Sequence, residues 1–416
     1  MAPGPHLIFD KSALQSFSLD ETNWLDNFFT TIITPLFFAE TLADLEKEVG
    51  KGRTPEQVVG NLALKTPDMN ASACTHHSKI MGGVLYGQDV PMDGRIPRDA
   101  GRVVELDGKK GIVYAQAPEE QALERWHKGN FLDVERLFAK AWRREFSGIN
   151  HDGEYTFFQN WFLLGKPKRL AEVKTLTDAY IDGSPQEGSF KFGMALLEVP
   201  VAAQPGLIQR WQNAGSPPIR EFVPYFRHLY GVDLFFKLAM ASDQISRVRP
   251  AGKADNYVDM AYLYYLPFCH AFTSKDNLHR KVVPLFLRPD QSFVDTDELK
   301  TDLQKMDAHY SALPDHVKVS GFYKFAATPP EDTSFLITRL WDKHLPRWRE
   351  IKAAADQKPN DPEESAKIVA EINRVGKEAQ VRSGERLSAD ETQFVHITRS
   401  ALRRKGKWVR YPDDLR

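Results

Sequence analysis

The sequence predicts an α/β protein: a core on a parallel central sheet, interrupted by a large mixed insertion and followed by a helical C-terminal extension. Three observations lead there. Residues 7–9 (LIF), 31–34 (TIIT) and 268–272 (FCHAF) are short runs with the apolar, β-branched or aromatic content of buried strands. Each gives way to a proline or polar turn and then to residues of helical period, the alternation of parallel βαβ construction. Acidic or hydroxyl residues gather where these runs end, the edge of an open parallel sheet at which ligands bind.

At 416 residues the chain is long enough for two or three domains, or for one domain carrying an insertion. We divide it into a first core half (1–50), an insertion or second subdomain (51–241), a second core half (242–325) and a helical extension with a basic tail (326–416). The 55 basic and 56 acidic side chains nearly cancel, which excludes a global field that would draw in a polyanion. Nucleic acid would have to bind through local patches. Two cysteines, Cys74 and Cys269, cannot build a disulfide framework and point to a reducing compartment. The N-terminus lacks a basic region followed by a long apolar core, and the longest apolar stretch, 32–43, is broken by Pro35 and Glu40. A cytoplasmic protein without a membrane partner is the expectation.

Taken in order, residues 7–9 close on Asp10, with the Ser12 hydroxyl two residues on, and read as a strand-to-helix turn. Residues 19–29 begin with a helix-start pattern and keep Trp24, Leu25, Phe28 and Phe29 at helical spacing. Pro35 suits the first position of a helix over 35–48. Glu40 falls in its second turn among Phe37, Phe38, Ala39, Leu42 and Ala43, an expensive setting for a charge without a partner. Helices are predicted at 119–146 and 218–243 within the insertion. Beyond the centre come helix or strand at 281–287, a strand at 292–294 and helices at 297–313, 332–355 and 364–379, with a proline-bearing linker at 357–363.

Residues 257–279 (YVDMAYLYYLPFCHAFTSKDNLH) organise the rest. A helix from Asp259 carries the chain roughly 13 Å away at 1.5 Å per residue. A strand of about five residues returns it roughly 17 Å at 3.3 Å per residue. Asp259 and Asp276 are thereby expected near one another, at the sheet edge where Asp10 and Glu40 also fall. Carboxylates gathered this closely repel unless a divalent cation compensates them. Mg2+ suits hard oxygen ligands and keeps several waters. A water made acidic by the metal would attack a phosphodiester in line. Taken singly, the residues also have ordinary roles: Asp276 as a helix N-cap, Asp259 as a first-turn dipole partner, Asp10 as a turn residue.

The order LIFDKSAL, ITPLFFAETLADLEK and VDMAYLYYLPFCHAFTSKDNLH resembles the PIN-domain nucleases, over about residues 5–48 and 255–302. In that family an opening strand ends in Asp, a helical Glu follows, and an Asp-led helix leads to a strand ending in Thr or Ser and a last Asp. The resemblance implies a three-layer PIN-like core and gives Asp10, Glu40, Asp259 and Asp276 as catalytic, metal-binding carboxylates. Ser12 and Thr273 or Ser274 would be supporting hydroxyls, and Asp255, one helical turn before Asp259, an alternative or further ligand. It implies a Mg2+- or Mn2+-dependent endonuclease acting on RNA, with DNA the other polynucleotide the chemistry admits. A homo-oligomer or a regulatory protein partner fits the long insertion.

The tail carries Arg403, Arg404, Lys405 and Lys407 around Trp408, charge and aromatic stacking suited to nucleic acid. Lys166, Lys168 and Arg169 are a smaller patch of the same kind. Cys74, His76 and His77 invite a zinc reading but lack a second Cys/His pair, so a polar loop is simpler. Gly82, Gly83 and Gly87 lack the Lys-Ser or Lys-Thr of a phosphate loop. A phosphatase of the haloacid dehalogenase type is disfavoured because Ser12 stands where its second Asp is needed. The remaining alternative is a catalytically inactive PIN-derived scaffold that binds RNA or protein.

Overall fold

The computed structural model describes residues 4–45, 49, 52–99, 101–138, 156–160, 167–183, 185–245, 253–356, 362–385, 387, 391–397 and 406–408. Among them run nine strands: β1 (His6–Phe9), β2 (Thr30–Ile33), β3 (Ala71–Ala73), β4 (Gly101–Leu106), β5 (Lys109–Tyr114), β6 (Ala271–Ser274), β7 (Ser292–Asp295), β8 (Gln380–Val381) and β9 (Phe394–Ile397). Five form a parallel sheet in the order β3-β2-β1-β6-β7. The register sets Ile8 beside Ile32 and Phe272, and Leu7 beside Thr31 and Ala271. Because side chains alternate along a strand, Ile8, Ile32 and Phe272 enter one core, and Leu7, Phe9, Ile33 and Ala271 the other.

Helices cover both faces, so the chain is an α/β protein on a parallel central sheet. Three short helices follow the first strands: α1 (Lys11–Ser16), α2 (Leu19–Phe28) and α3 (Pro35–Ala43). Their starts follow from sequence: Asp10 caps α1, Ser18 and Glu21 make a capping box for α2, and Pro35 opens α3. With the helices Thr296–Ser311 and Leu336–His344 they bury Leu14, Trp24, Phe28, Phe37, Leu303 and Trp341 on one face. Trp24 is fully buried, 4.8 Å from the Tyr310 ring, and its indole N–H donates to Asp307 at 3.1 Å. The other face carries the helices His77–Leu85, Leu170–Gly183, Gln186–Leu196 and Pro224–Ala241 and the 3-10 helix Tyr262–Phe268.

The chain runs outward from β1 through β2 to β3, then returns to build β6 and β7 on the opposite side of β1. The order therefore reverses between β1 and β6, and the crevice beyond their C-terminal ends is where such sheets hold ligands.

Several expectations change. The segment 51–241 supplies β3 and several covering helices to the core sheet; three small residues, Ala71, Ser72 and Ala73, suffice for a buried edge strand. β8 and β9 from the C-terminal extension join β4 and β5 in a second sheet, so that extension is not wholly helical. The helix before the centre is Lys253–Ala261, continued as a 3-10 helix that contains Pro267, and the strand is Ala271–Ser274. A buried apolar run does not by itself distinguish helix from strand. The expected 332–355 helix divides into Leu336–His344 and Trp348–Asp356 around Pro346, and 218–243 divides before Pro224. The helix expected at 119–146 is broken into Pro118–His127 and a helical stretch over 133–138, and residues 139–146 lie outside the described residues.

Candidate functional site

Asp10 closes β1 and is 4% exposed. Its Oδ1 accepts the Ala13 N–H at 2.7 Å, and the Ser12 hydroxyl lies 2.9 and 3.0 Å from its two oxygens. From the end of β6, Ser274 donates its hydroxyl proton to Asp10 Oδ2 at 2.5 Å. That proton being spent, the Ser274 oxygen accepts twice, from the Asp276 N–H at 3.0 Å and from His279 Nδ1 at 2.7 Å. The other nitrogen, His279 Nε2, donates to the Asp259 carbonyl at 2.7 Å. Both ring nitrogens are donors, which only the imidazolium can satisfy.

The energetics agree with this proton count. Burial alone would lower the His279 pKa, but the hydrogen bond and charge of Asp10 and the charge of Asp259 raise it to about 9. Burial pushes the Asp10 carboxyl up, and the hydrogen bond and charge of His279, with the Ser274 and Ala13 bonds, bring it below its ordinary value. His279 Nδ1 lies 3.4 Å from Asp10 Oδ2.

Glu40 reaches the same crevice from α3. Its Oε2 accepts the Tyr262 hydroxyl at 2.8 Å, and Lys11 Nζ stands 3.6 Å from Oε1 while pairing with Asp44. Burial raises the Glu40 pKa, Lys11 opposes it, and the charge of Asp10 raises it further. Asp10 and Glu40, thirty positions apart, thus sense one another across a water-poor crevice.

The other expected ligands stand differently. Asp259 gives its backbone carbonyl to His279, and its half-buried side chain raises the pKa of both His279 and Tyr262. Asp276 caps the helix Asn277–Val282 through a 2.6 Å bond from the Leu278 N–H, and its backbone N–H, not its carboxylate, meets Ser274. Asp255 lies in the helix Lys253–Ala261, and its side chain lies outside what is described. Among the described residues no group of three or more His, Cys, Asp or Glu side chains is disposed to hold a metal ion.

Of the supporting hydroxyls, Ser12 and Ser274 hold Asp10. Thr273 turns away to Thr296 Oγ1 at 3.2 Å, since successive strand residues point to opposite faces. Exposed Lys407 has its Nζ 2.5 Å from Asp307, and half-buried Trp408 donates to the same carboxylate and lies 4.9 Å from the Trp24 ring. Apolar burial on Trp24 outcompetes exposure of the indole for stacking. Arg403, Arg404 and Lys405 lie outside the described residues. Cys74 and Cys269 are buried free thiols, and burial pushes the Cys74 thiol far up, which suits packing rather than zinc.

Sequence reasoning missed Lys11, Tyr262 and His279. The available signal was their position: Lys11 directly follows a strand-ending Asp, and His279 lies on the first turn after β6. Among the described residues no helix is long and apolar enough to cross a membrane. Comparison with protein-family models, curated proteins and solved structures finds no match to this chain.

Proposed function

We propose that this chain is a PIN-like, Mg2+- or Mn2+-dependent ribonuclease whose centre is the Asp10–Glu40 pair. The observation that carries the reading is Glu40: a largely buried carboxylate, its pKa raised by burial and by Asp10, at the point where the strand order reverses. The donor set suits Mg2+ bound by two carboxylates, an ion that takes its remaining ligands from water and substrate phosphate. Asp10 and Glu40 would hold the ion, with Asp259 beside them, and Asp276 would act by capping the helix that carries His279. When bound, the ion would supply an acidified water and charge stabilisation at phosphorus. Ser12, Ser274 and the His279 imidazolium fix the Asp10 carboxylate in one orientation and keep it ionised. Lys11 and Tyr262 hold Glu40.

The test is cleavage of end-labelled single-stranded RNA by the full chain with Mg2+ or with EDTA, beside Mn2+ calorimetry. Glu40→Gln is expected to abolish cleavage and weaken Mn2+ binding while the thermal transition persists. Undiminished Mg2+-dependent cleavage by the folded variant would overturn the reading.

A second reading, a scaffold without catalysis, draws on one observation: Lys11 and His279 already compensate the two carboxylates from within. It predicts no Mn2+ binding that depends on Asp10 or Glu40, so the same calorimetry separates the two.

A further inference from the structure

From the crevice of Asp10 and Glu40, α1 runs along the wall of a second cavity, of about 550 Å³, which it shares with the end of α3 and the helix Pro55–Lys65. Lys11 belongs to both places. Its Nζ stands 3.6 Å from Glu40 Oε1 and pairs with Asp44, and its side chain lines the cavity. Gln15, one helical turn on and roughly 6 Å away at 1.5 Å per residue, lines it as well. Leu19, Val58 and Leu62 supply apolar wall, and Gln15 and Asn61 are exposed amides at its border.

The charge of this cavity is unbalanced. Among the described residues its lining carries Lys11, Arg53 and Lys65 against one carboxylate, Asp44, which Lys11 takes. Lys65 is half-buried and donates to the Gln15 carbonyl at 2.8 Å, and among the described residues it has no carboxylate within 4 Å. Lys300 reaches the next carbonyl, that of Ser16, and has Glu21 at 3.6 Å. The two ammonium groups thus converge on the C-terminal end of α1, where cations satisfy free carbonyls. On Lys65 that capping uses one of three N–H donors and leaves the charge uncompensated. Burial and the charge of Lys300 lower its pKa, with Glu21 opposing them in part. An anion in the cavity would relieve both costs.

We infer that the cavity is a backbone subsite for an RNA strand, in which Lys65 binds the phosphate beside the one held at Asp10 and Glu40. The turn of α1 from Lys11 to Gln15 is a stride comparable with that between successive phosphates of an extended strand. Phosphate oxygens accept from the two remaining Lys65 donors and from the amides of Gln15 and Asn61. The apolar wall meets the sugar, so the contact positions the strand without reading its sequence. This deepens the ribonuclease reading and rests on it for the identity of the strand.

The experiment is fluorescence anisotropy of the full chain with an end-labelled single-stranded oligouridylate in EDTA, over a series of salt concentrations. Lys65→Met should weaken binding by about fivefold or more and reduce the slope of log affinity against log salt by about 0.7, the share of one phosphate contact. Lys65→Arg should restore both. Asn61→Glu, an exposed change one turn before Lys65, should weaken binding likewise and serves where Lys65→Met does not fold. With Mg2+, Lys65→Met should raise KM and leave kcat within about twofold, as expected of a contact kept from ground state to transition state. Wild-type affinity in folded Lys65→Met, or weaker binding with an unchanged salt slope, overturns the subsite and leaves Lys65 as a cap of α1. If Lys65→Met flattens the slope but Asp10→Asn still cleaves RNA, the ribonuclease reading falls and the subsite stands. If Asp10→Asn abolishes cleavage and Lys65→Met binds as the wild type does, the subsite falls and the ribonuclease reading stands.

Discussion

The two ends of the parallel sheet treat the same side chain in opposite ways. At the C-terminal edge, His279 is fully buried yet protonated, with a pKa raised to about 9. At the N-terminal edge, His6, His270 and His344 stand in a row, with ring centroids 5.0 and 5.5 Å apart. There burial, joined by the His6 ring at His270 and by the His270 ring at His344, pulls both to about 4, and His6 is lowered as well. Burial acts downward on all four rings. The difference lies in their partners: His279 meets a carboxylate and a carbonyl, whereas His270 Nδ1 accepts the His6 N–H at 2.9 Å and His344 Nε2 meets Ser292 at 3.2 Å. Asp93 and Asp290 only partly offset burial at His270, and Arg288 works against them. A buried histidine is thus a cation where strand ends collect acids and a neutral spacer where they do not.

The largest expected contrast is in activity. Asp10→Asn should lower Mg2+-dependent RNA cleavage by about a thousandfold or more, while His6→Gln at the opposite edge leaves the initial rate unchanged. Equal losses from both would dissolve the distinction between the edges. Next is stability: His279→Ala removes a fully buried ring that bridges Ser274 and the Asp259 carbonyl, and should cost about 3 kcal/mol in urea unfolding at pH 7. A loss no larger than that of an exposed substitution would show that the imidazolium does not hold the crevice together.

The pH dependence should carry both signs. His279 titrates above the ordinary histidine value of 6.5, so its stabilisation is complete below pH 6.5 and is lost as pH rises through about 9. His270 and His344 titrate below 6.5, so their contribution is present above pH 6.5 and is lost as pH falls through about 4. In EDTA, thermal midpoints of the wild type should fall on both sides of neutrality. His279→Gln should flatten the alkaline limb and His270→Gln the acid limb. An acid limb unmoved by His270→Gln would place its origin in the carboxylates instead. The smallest effect belongs to Trp408→Ala: about 1–2 kcal/mol of stability from lost packing on Trp24, with RNA affinity by fluorescence anisotropy unchanged.

Much of this was legible in residue order. Asp10 after an apolar run marked a strand-to-helix turn, and Pro35 and the pattern opening at residue 19 marked helix starts that the structure keeps. Glu40 was visible as a charge among aromatics, a setting that required a partner. The partner itself was not visible, because Tyr262 lies 222 positions away and nothing local links the two. Asp276 illustrates the converse: its position suits both a ligand and a cap, and the helix that begins at Asn277 takes the carboxylate for its free N–H groups. β3 went unseen because three small residues carry no periodic signal, and Trp408 was read as a stacking surface because sequence does not show what lies beneath it.

The sequence by itself determined that a parallel α/β core would form, that acids would stand at its strand ends, and that no overall charge would attract a polyanion. These follow from local periodicity, capping chemistry and composition, which need no long-range contact. Only the tertiary structure decided which acids meet, which histidine carries a proton and which tryptophan is spent on packing. Those outcomes depend on the burial and hydrogen-bond partners that each group acquires from segments hundreds of residues away, and pairing across such distances exists only once the chain has closed on itself.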